Sequence, residues 1–326
     1  MVWHIGRKSI QTLFAASVAL ALTPAIAEDF PAEPITIIVN WPAGGGQDTS
    51  ARLIAEWASK KSKVPIVVSN VTGAGGANGI RQAAEADPTG YTIGIMGSSF
   101  VARGYLNENA TPIDDVSPLV FFGPDPGALE VRADTGINSV QEYIDKLKAE
   151  PGSIVNGNDA PGGSSHIVAS VFESTFGVEM TKVPYQGYAP TVAAIISGEV
   201  QSATLPVHQL VDQHKAGDVK ILAVAAEARH FLVPDVPTFK ELGFDFVAGD
   251  WRALFAPNGV PADRMAYLET LFMETMSDPA FQQAAQKAGF MVTPMPADAT
   301  KDWIMAHDEA VYPILLDAGL VKANMK

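Results

Sequence analysis

Pro34-Ile-Thr-Ile-Ile-Val-Asn-Trp-Pro-Ala-Gly-Gly-Gly-Gln-Asp-Thr-Ser-Ala-Arg52 is the stretch on which the fold turns. Ile35 to Val39 is a short β-branched apolar run, the signature of a buried strand. Three glycines follow, and a helical spacing of apolar residues (Leu53, Ile54, Trp57) begins near Asp48, which is the simplest N-cap. A strand, a glycine-rich turn and a helix N-terminus leave backbone N–H groups unpaired at the positive end of a helix dipole, a natural seat for an anion. Trp41, Ala43, Gly45, Gly46, Gln47 and Asp48 are therefore candidate ligand-facing residues, the plain alternative being a tight turn and nothing more. A nucleotide P-loop is excluded, because no Lys follows Gly46 to reach a phosphate.

Outward from this unit, strand and helix signals alternate. Residues 65–69 read as a strand, and residues 70–79 form a second glycine-rich turn, with Gly75 and Gly76, opening a helix to Ala86. Asp87-Pro-Thr-Gly90 is a turn, and the strand at residues 91–96 runs into Gly97-Ser98-Ser99. This βαβαβ order predicts an α/β fold with a mostly parallel sheet flanked by helices. Between Thr111 and Gly127 proline density rises and regularity falls, as at a crossing between domains. A second α/β series starts near Ala128 and contains a third donor-rich turn, the loop at residues 156–166, whose Gly163-Ser164-Ser165-His166 opens a helix with a serine as N-cap. Tyr185 stands at a strand end, where open α/β sheets place their ligands. Residues 251–256 read as the return crossing, and the helical tail that follows is expected to pack on the first lobe.

The first 27 residues have the pattern of a secretory leader: Arg7 and Lys8, an apolar run from Ile10 to Leu22, then Ala25-Ile26-Ala27 as a cleavage site. Without them the formal net charge moves from -14 to -16, which argues against nucleic acid or anionic lipid as a partner. The chain contains no cysteine, so disulfides, thiol nucleophiles, thiolate metal sites and a lipoprotein anchor are excluded. His208 and His214 are poorly spaced for a metal, and neither a metal nor a cofactor is expected. Gly73–Asn78 departs from the dinucleotide fingerprint at its last glycine. Ser98 and Ser165 raise the alternative of a secreted serine hydrolase, but no G-x-S-x-G frames either.

Several pieces in fixed order carry a resemblance. They are Pro34-Ile-Thr-Ile-Ile-Val with Trp41-Pro-Ala-Gly-Gly-Gly, Gly73-Ala-Gly-Gly76, Asp87-Pro-Thr-Gly-Tyr91 and Gly163-Ser-Ser-His166. Val183-Pro-Tyr-Gln-Gly187, Pro234-Asp-Val-Pro-Thr238 with Glu241-Leu-Gly243, and Trp251 with Ala256-Pro-Asn-Gly-Val-Pro261 complete the set. In these the chain resembles the periplasmic substrate-binding proteins of the tripartite tricarboxylate transporters, the Bug family. The resemblance implies a two-lobed, type II-like binding protein without enzymatic activity. Such a protein closes on a small carboxylate and delivers it to membrane permease subunits, as a monomer. A ligand-presenting partner of a sensor kinase is the alternative role. In the same family the loop after the first strand and the Ser-Ser-His region face the ligand. With the two crossings, residues 28–125 and 252–326 are read as one lobe and residues 126–251 as the other, and Ser98, Ser99, Tyr185 and Thr204 join the three turns as candidate cleft residues. Gln47 replaces the threonine usual in the family, and Gln201 an aspartate, so the ligand's identity stays open.

Overall fold

The buried β-branched run Ile35–Val39 forms β1 and sits inside a five-stranded sheet, paired in parallel with β2 (Ile66–Asn70) and β3 (Thr92–Met96). Between them run α1 (Gly46–Ser59) and α2 (Ala77–Ala84), and α3 (Ser98–Leu106) follows β3. The computed structural model describes residues 1–2 and 30–324; the expected leader and its cleavage site lie outside the described residues, apart from Met1 and Val2, both exposed. Pro31–Lys326 is one compact unit, separate from Met1–Phe30.

The proline-rich stretch expected to be irregular is instead mostly the long strand β4 (Val116–Pro126), which precedes β5 (Ala128–Arg132) with only Gly127 between them. Prolines 118, 124 and 126 are tolerated because β4 lies at the end of the first sheet, whose order is β2-β1-β3-β10-β4. The second series comprises α4 (Val140–Ala149), β6 (Val155–Asp159), α5 (Ser164–Phe176), β7 (Thr181–Tyr185), α6 (Tyr188–Ser197), β8 (Ser202–Ala203), α7 (Val211–Ala216) and β9 (Val219–Val224). Its sheet has the order β7-β6-β8-β5-β9. The loop expected from Asn156 onward is shorter than read, because β6 extends to Asp159.

The chain returns to the first sheet in β10 (Gly249–Pro257), antiparallel to both β3 and β4. Both sheets are thus mixed: β1–β2, β1–β3, β6–β7 and β6–β8 are parallel, whereas β10 and β5 pair antiparallel to both their neighbours. The reason is that these strands belong to the crossings. Pro126 pairs with Gly249, and Gly127 N–H donates to the Ala248 carbonyl at 3.0 Å, so the two crossings lie side by side.

Each sheet has its own core. In the first, Ile38, Ile80, Met96 and Phe100 pack with Phe255 and Trp251. In the second, Phe172 is buried among Tyr143, Phe176, Phe239 and Phe246. Burying one such ring contributes about 2–3 kcal/mol. The tail forms α8 (Ala262–Met276), α9 (Pro279–Lys287) and α10 (Ala297–Asp317). Helix α8 packs on α1 and β4, and α10 on β4 and α3. Among the described residues no helix is long and apolar enough to cross a membrane.

Candidate functional site

The glycine turn after β1 delivers α1 with a bare N-terminus. Its N-cap is Gly45, extended at φ -80° and ψ 171°, and no side chain caps the helix. Asp48, expected to be the cap, lies inside the first turn. Its carboxylate folds back to accept Gly44 N–H at 3.0 Å, Arg52 Nε at 3.0 Å and Asn70 Nδ2 at 3.0 Å. Partial burial raises its pKa, but these bonds outweigh burial and leave it below the usual carboxylate range. Gly46 has no space for a side chain: a Cβ there would stand 2.4 Å from the Arg252 guanidinium and 3.1 Å from His208. Gln47 is 3 % exposed, and neither its amide nitrogen nor its amide oxygen has a hydrogen-bond partner. A buried amide left unpaired costs about 1–3 kcal/mol, so it marks a position built for something more than packing.

Gln47 lines a cavity of about 20 Å³ with Trp41, Pro42, Gly45 and Gly46 on one wall. The facing wall is Gln186, Gly187, Tyr188, Ala189 and Pro190, and two carboxylates, Asp159 and Asp250, complete the lining. Trp41 and Pro42 come against Gly187, and Gly44 lies near Ala189. A space of this size holds about one water, so any larger ligand requires the walls to part.

On the second sheet the helix N-terminus is already occupied. Gly163, not Ser164 or Ser165, is the N-cap of α5. Asp159, at the end of β6, accepts His166 N–H at 3.0 Å, and the Ser165 hydroxyl and N–H also hold it. Its carboxylate lies over Gly163, where a Cβ would come within 2.4 Å of both oxygens. Burial drives the Asp159 carboxyl up to about 7; the hydrogen bonds from His166 and Ser165 oppose this, and the nearby Asp250 charge adds to it.

The third N-terminus, that of α3, is capped from afar. Asp250 Oδ1 accepts the Ser98 N–H at 2.8 Å, the Ser98 hydroxyl at 2.9 Å and its neighbour Trp251 N–H at 2.9 Å, while Oδ2 accepts the Tyr188 hydroxyl at 3.3 Å. Ser98 and Ser164 share a hydrogen bond at 2.8 Å, which joins α3 to α5. Behind Gly46 the guanidinium of Arg252 pairs with Asp125, which also takes His208 Nδ1 at 3.1 Å. Burial opposes ionisation of Asp125, but the charges of Arg252 and His208 hold its pKa well below the usual range.

The residues read from sequence divide accordingly. Trp41, Gly45, Gly46 and Gln47 line the cavity, and Ser98 and Ser164 bridge beside it. Ala43 is exposed and does not line the cavity, and Ser99 is buried at 1 % exposure. Gly75 accepts a hydrogen bond from Arg103 and stands near Ala160 and Pro161; Gly76 packs on Asn40. Ser165 accepts Asp159 N–H at 2.8 Å, and Thr204 donates to the Ser165 carbonyl at 3.0 Å, so both brace α5. His166 lines a different cavity with Arg103, Lys182 and Lys322; burial, with the charges of Lys182 and Lys322, lowers its pKa to about 4. Tyr185 points elsewhere, donating to Glu199 at 2.8 Å; Tyr188, three residues on, takes the cleft position. Asp159, Asp250, Tyr188 and Arg252 were not singled out from sequence. Asp159, in the quoted loop just before Gly163-Ser-Ser-His166, was the one with a local signal, a carboxylate within reach of a helix start.

Comparison with known proteins agrees with this architecture. The profile of the tripartite tricarboxylate transporter family receptor matches residues 50–320. The chain is 29 % identical over 297 residues to Protein BugT of Bordetella pertussis, covering 90 % of this chain and 91 % of that one. Its structure is similar to that of the periplasmic binding protein BugD, with a TM-score of 0.85 and 28 % identity over 90 % of this chain and 100 % of the other. It is also similar to that of MatC from Rhodopseudomonas palustris with bound malate, with a TM-score of 0.82 and 25 % identity over 88 % and 100 % of the two chains.

Proposed function

The chain belongs to the tripartite tricarboxylate transporter receptor family, and on that footing we propose that it captures a small organic carboxylate between its two lobes and hands it to membrane permease subunits. The observation that carries this reading is the bare N-terminus of α1 beside the buried, unpaired amide of Gln47. A ligand carboxylate there accepts the backbone N–H groups of the first turn and the Gln47 amide, with the buried Arg252 guanidinium behind Gly46 adding positive potential. Malate bound by MatC is a ligand of the same chemistry. The ligand-binding set is Trp41, Gly45, Gly46 and Gln47 from one lobe, with Ser98, Ser164 and Tyr188 at the closure. The lobes are residues 28–125 with 252–326, and residues 126–251. Export with cleavage after Ala27 puts the receptor in the periplasm.

The role is binding rather than catalysis. Ser98 is committed to Asp250 and Ser164, and Ser165 to Asp159, so neither has a histidine partner to activate it. The direct test is mass spectrometry of small molecules released from the purified protein, followed by a melting-temperature screen over organic acids and amino acids. A true ligand at a hundredfold excess over Kd stabilises by about 2.7 kcal/mol. Absence of any shift across both classes refutes the reading.

A further inference from the structure

Three helix N-termini converge on the cleft, and they are not equivalent. Asp250 occupies that of α3 by accepting Ser98 N–H, and Asp159 occupies that of α5 by accepting His166 N–H. Only α1 presents its first turn without an internal carboxylate, because Asp48 turns away to Gly44, Arg52 and Asn70. The cavity between them is lined by both Asp159 and Asp250 and by no Lys, Arg or His. Gln47, 97 % buried by its 3 % exposure and unpaired at both amide atoms, lines the same cavity at the α1 end. Of the cations nearby, Arg252 pairs with Asp125 and Arg103 donates to the Gly75 carbonyl. The cleft thus sets the donors of α1 against the Asp159 carboxylate on the second sheet, with Asp250 beside Gln47, both close to Gly97.

We propose that the ligand is a small zwitterion, an amino acid in class, whose carboxylate meets the α1 N-terminus and Gln47 while its ammonium group faces Asp159. The inference rests on the carboxylate-receptor reading above and narrows it. A dicarboxylate would bring its second charge against Asp159 and Asp250, and like charges in a buried site repel strongly. An ammonium group there neutralises a carboxylate that otherwise has only neutral donors in direct contact. Asp250, already accepting from Ser98, Trp251 and Tyr188, serves as the fixed counter-charge.

The competing chemistry is a protonated Asp159 donating to a second ligand carboxylate, and pH separates the two. The groups facing Asp159 are Asp250 on β10, Tyr188 on α6, Arg103 on α3, and His166 and Ser165 on α5. An ammonium partner needs the ionised form, so amino-acid affinity rises from pH 6 to pH 8. A dicarboxylate using the protonated form loses affinity over the same range.

Calorimetry on the full mature chain with the twenty amino acids, malate, succinate and adipate at both pH values tests this. The expected result is at least tenfold tighter binding of one or a few amino acids than of any dicarboxylate, with affinity increasing toward pH 8. Asp159→Asn, which keeps an oxygen to accept His166 N–H, weakens the amino acid at least tenfold and narrows its advantage over dicarboxylates. Tighter binding of a dicarboxylate by the wild type, or of an amino acid with no loss in the variant, overturns the zwitterion assignment and leaves the receptor reading standing. Binding of neither class by the wild type overturns the zwitterion assignment, and the receptor reading falls with it when the melting-temperature screen over organic acids is also flat. Should Asp159→Asn fail to fold, the wild-type ranking and its pH trend decide the matter alone.

Discussion

Ser98 Oγ on α3 and Ser164 Oγ on α5 lie 2.8 Å apart, joined directly across the cleft between the two sheets. The link is backed on one side by Asp250, which accepts from the same Ser98 hydroxyl at 2.9 Å. With one proton on each hydroxyl, the Ser98 proton goes to the charged acceptor and Ser164 supplies the proton of the bridge. The contact between α3 and α5 is thereby coupled to a buried carboxylate rather than to a surface group.

Ser164→Ala removes the bridge and leaves Asp250 with its own donors. A net hydrogen bond contributes about 0.5–1.5 kcal/mol, so ligand affinity should fall by roughly two- to tenfold, with a larger radius of gyration in small-angle scattering. Unchanged affinity and size would show that the bridge is incidental to closure.

Gln47 should trade stability for binding. Gln47→Met keeps volume while removing two buried, unpaired polar atoms, and is expected to raise unfolding free energy by about 1–3 kcal/mol in urea titrations. The same variant should lose the ligand-induced rise in melting temperature. A destabilised variant that still binds would contradict the role given to the amide.

Asp159 makes stability depend on pH in an unusual direction. Its folded pKa of about 7 lies above the ordinary aspartate value of 3.8, because burial disfavours the charged form. Between these values the folded state holds a proton that the unfolded state has released, so stability falls as pH rises from about 4 to about 7. Asp159→Asn should erase that slope, being more stable than wild type by an order of a few kcal/mol at pH 8 and little different near pH 4. Parallel pH profiles for the two proteins would rule out Asp159 as the titrating group.

The Arg252–Asp125 pair is buried, at 0 % and 3 % exposure. Arg252→Leu leaves Asp125 buried without its guanidinium partner, held by the His208 ring, and should cost about 3–5 kcal/mol in chemical denaturation. In the wild type, Asp125 has a depressed pKa, so its stabilisation is present above about pH 4 and is lost as pH falls further. A loss under 1 kcal/mol would mean that the site relaxes around the orphaned carboxylate.

Trp41 lies against Gly187 and lines the cavity, whereas Trp251 is in the core of the first sheet and Trp303 packs against that core. Ligand-dependent fluorescence should therefore vanish in Trp41→Phe while the melting-temperature shift persists. Retention of the full fluorescence change would place the reporter elsewhere.

Local pattern was enough for much of this molecule. β-Branched runs, glycine turns and amphipathic spacing follow short-range sterics, so β1, α1, the βαβαβ order and the three donor-rich turns were legible from residues alone. Gln47 stood out as well, as part of the first turn and as a departure from the threonine usual in the family that the chain resembles. The long strand β4 was not, because proline content signals irregularity unless the strand is known to lie at a sheet edge. Nor did local pattern separate Tyr185 from Tyr188: one ends β7 and the other begins α6, and the change of element sends their hydroxyls to Glu199 and Asp250. Which carboxylate fills which helix end was decided by tertiary structure alone. Asp250 reaches Ser98 across 152 residues of sequence, and it does so because β10 returns beside β3. Sequence by itself determined that helix ends of the kind that hold anions would exist; only the path of the chain decided that two of them are occupied by its own aspartates, since long-range proximity depends on how the sheets are ordered and not on any neighbouring residue.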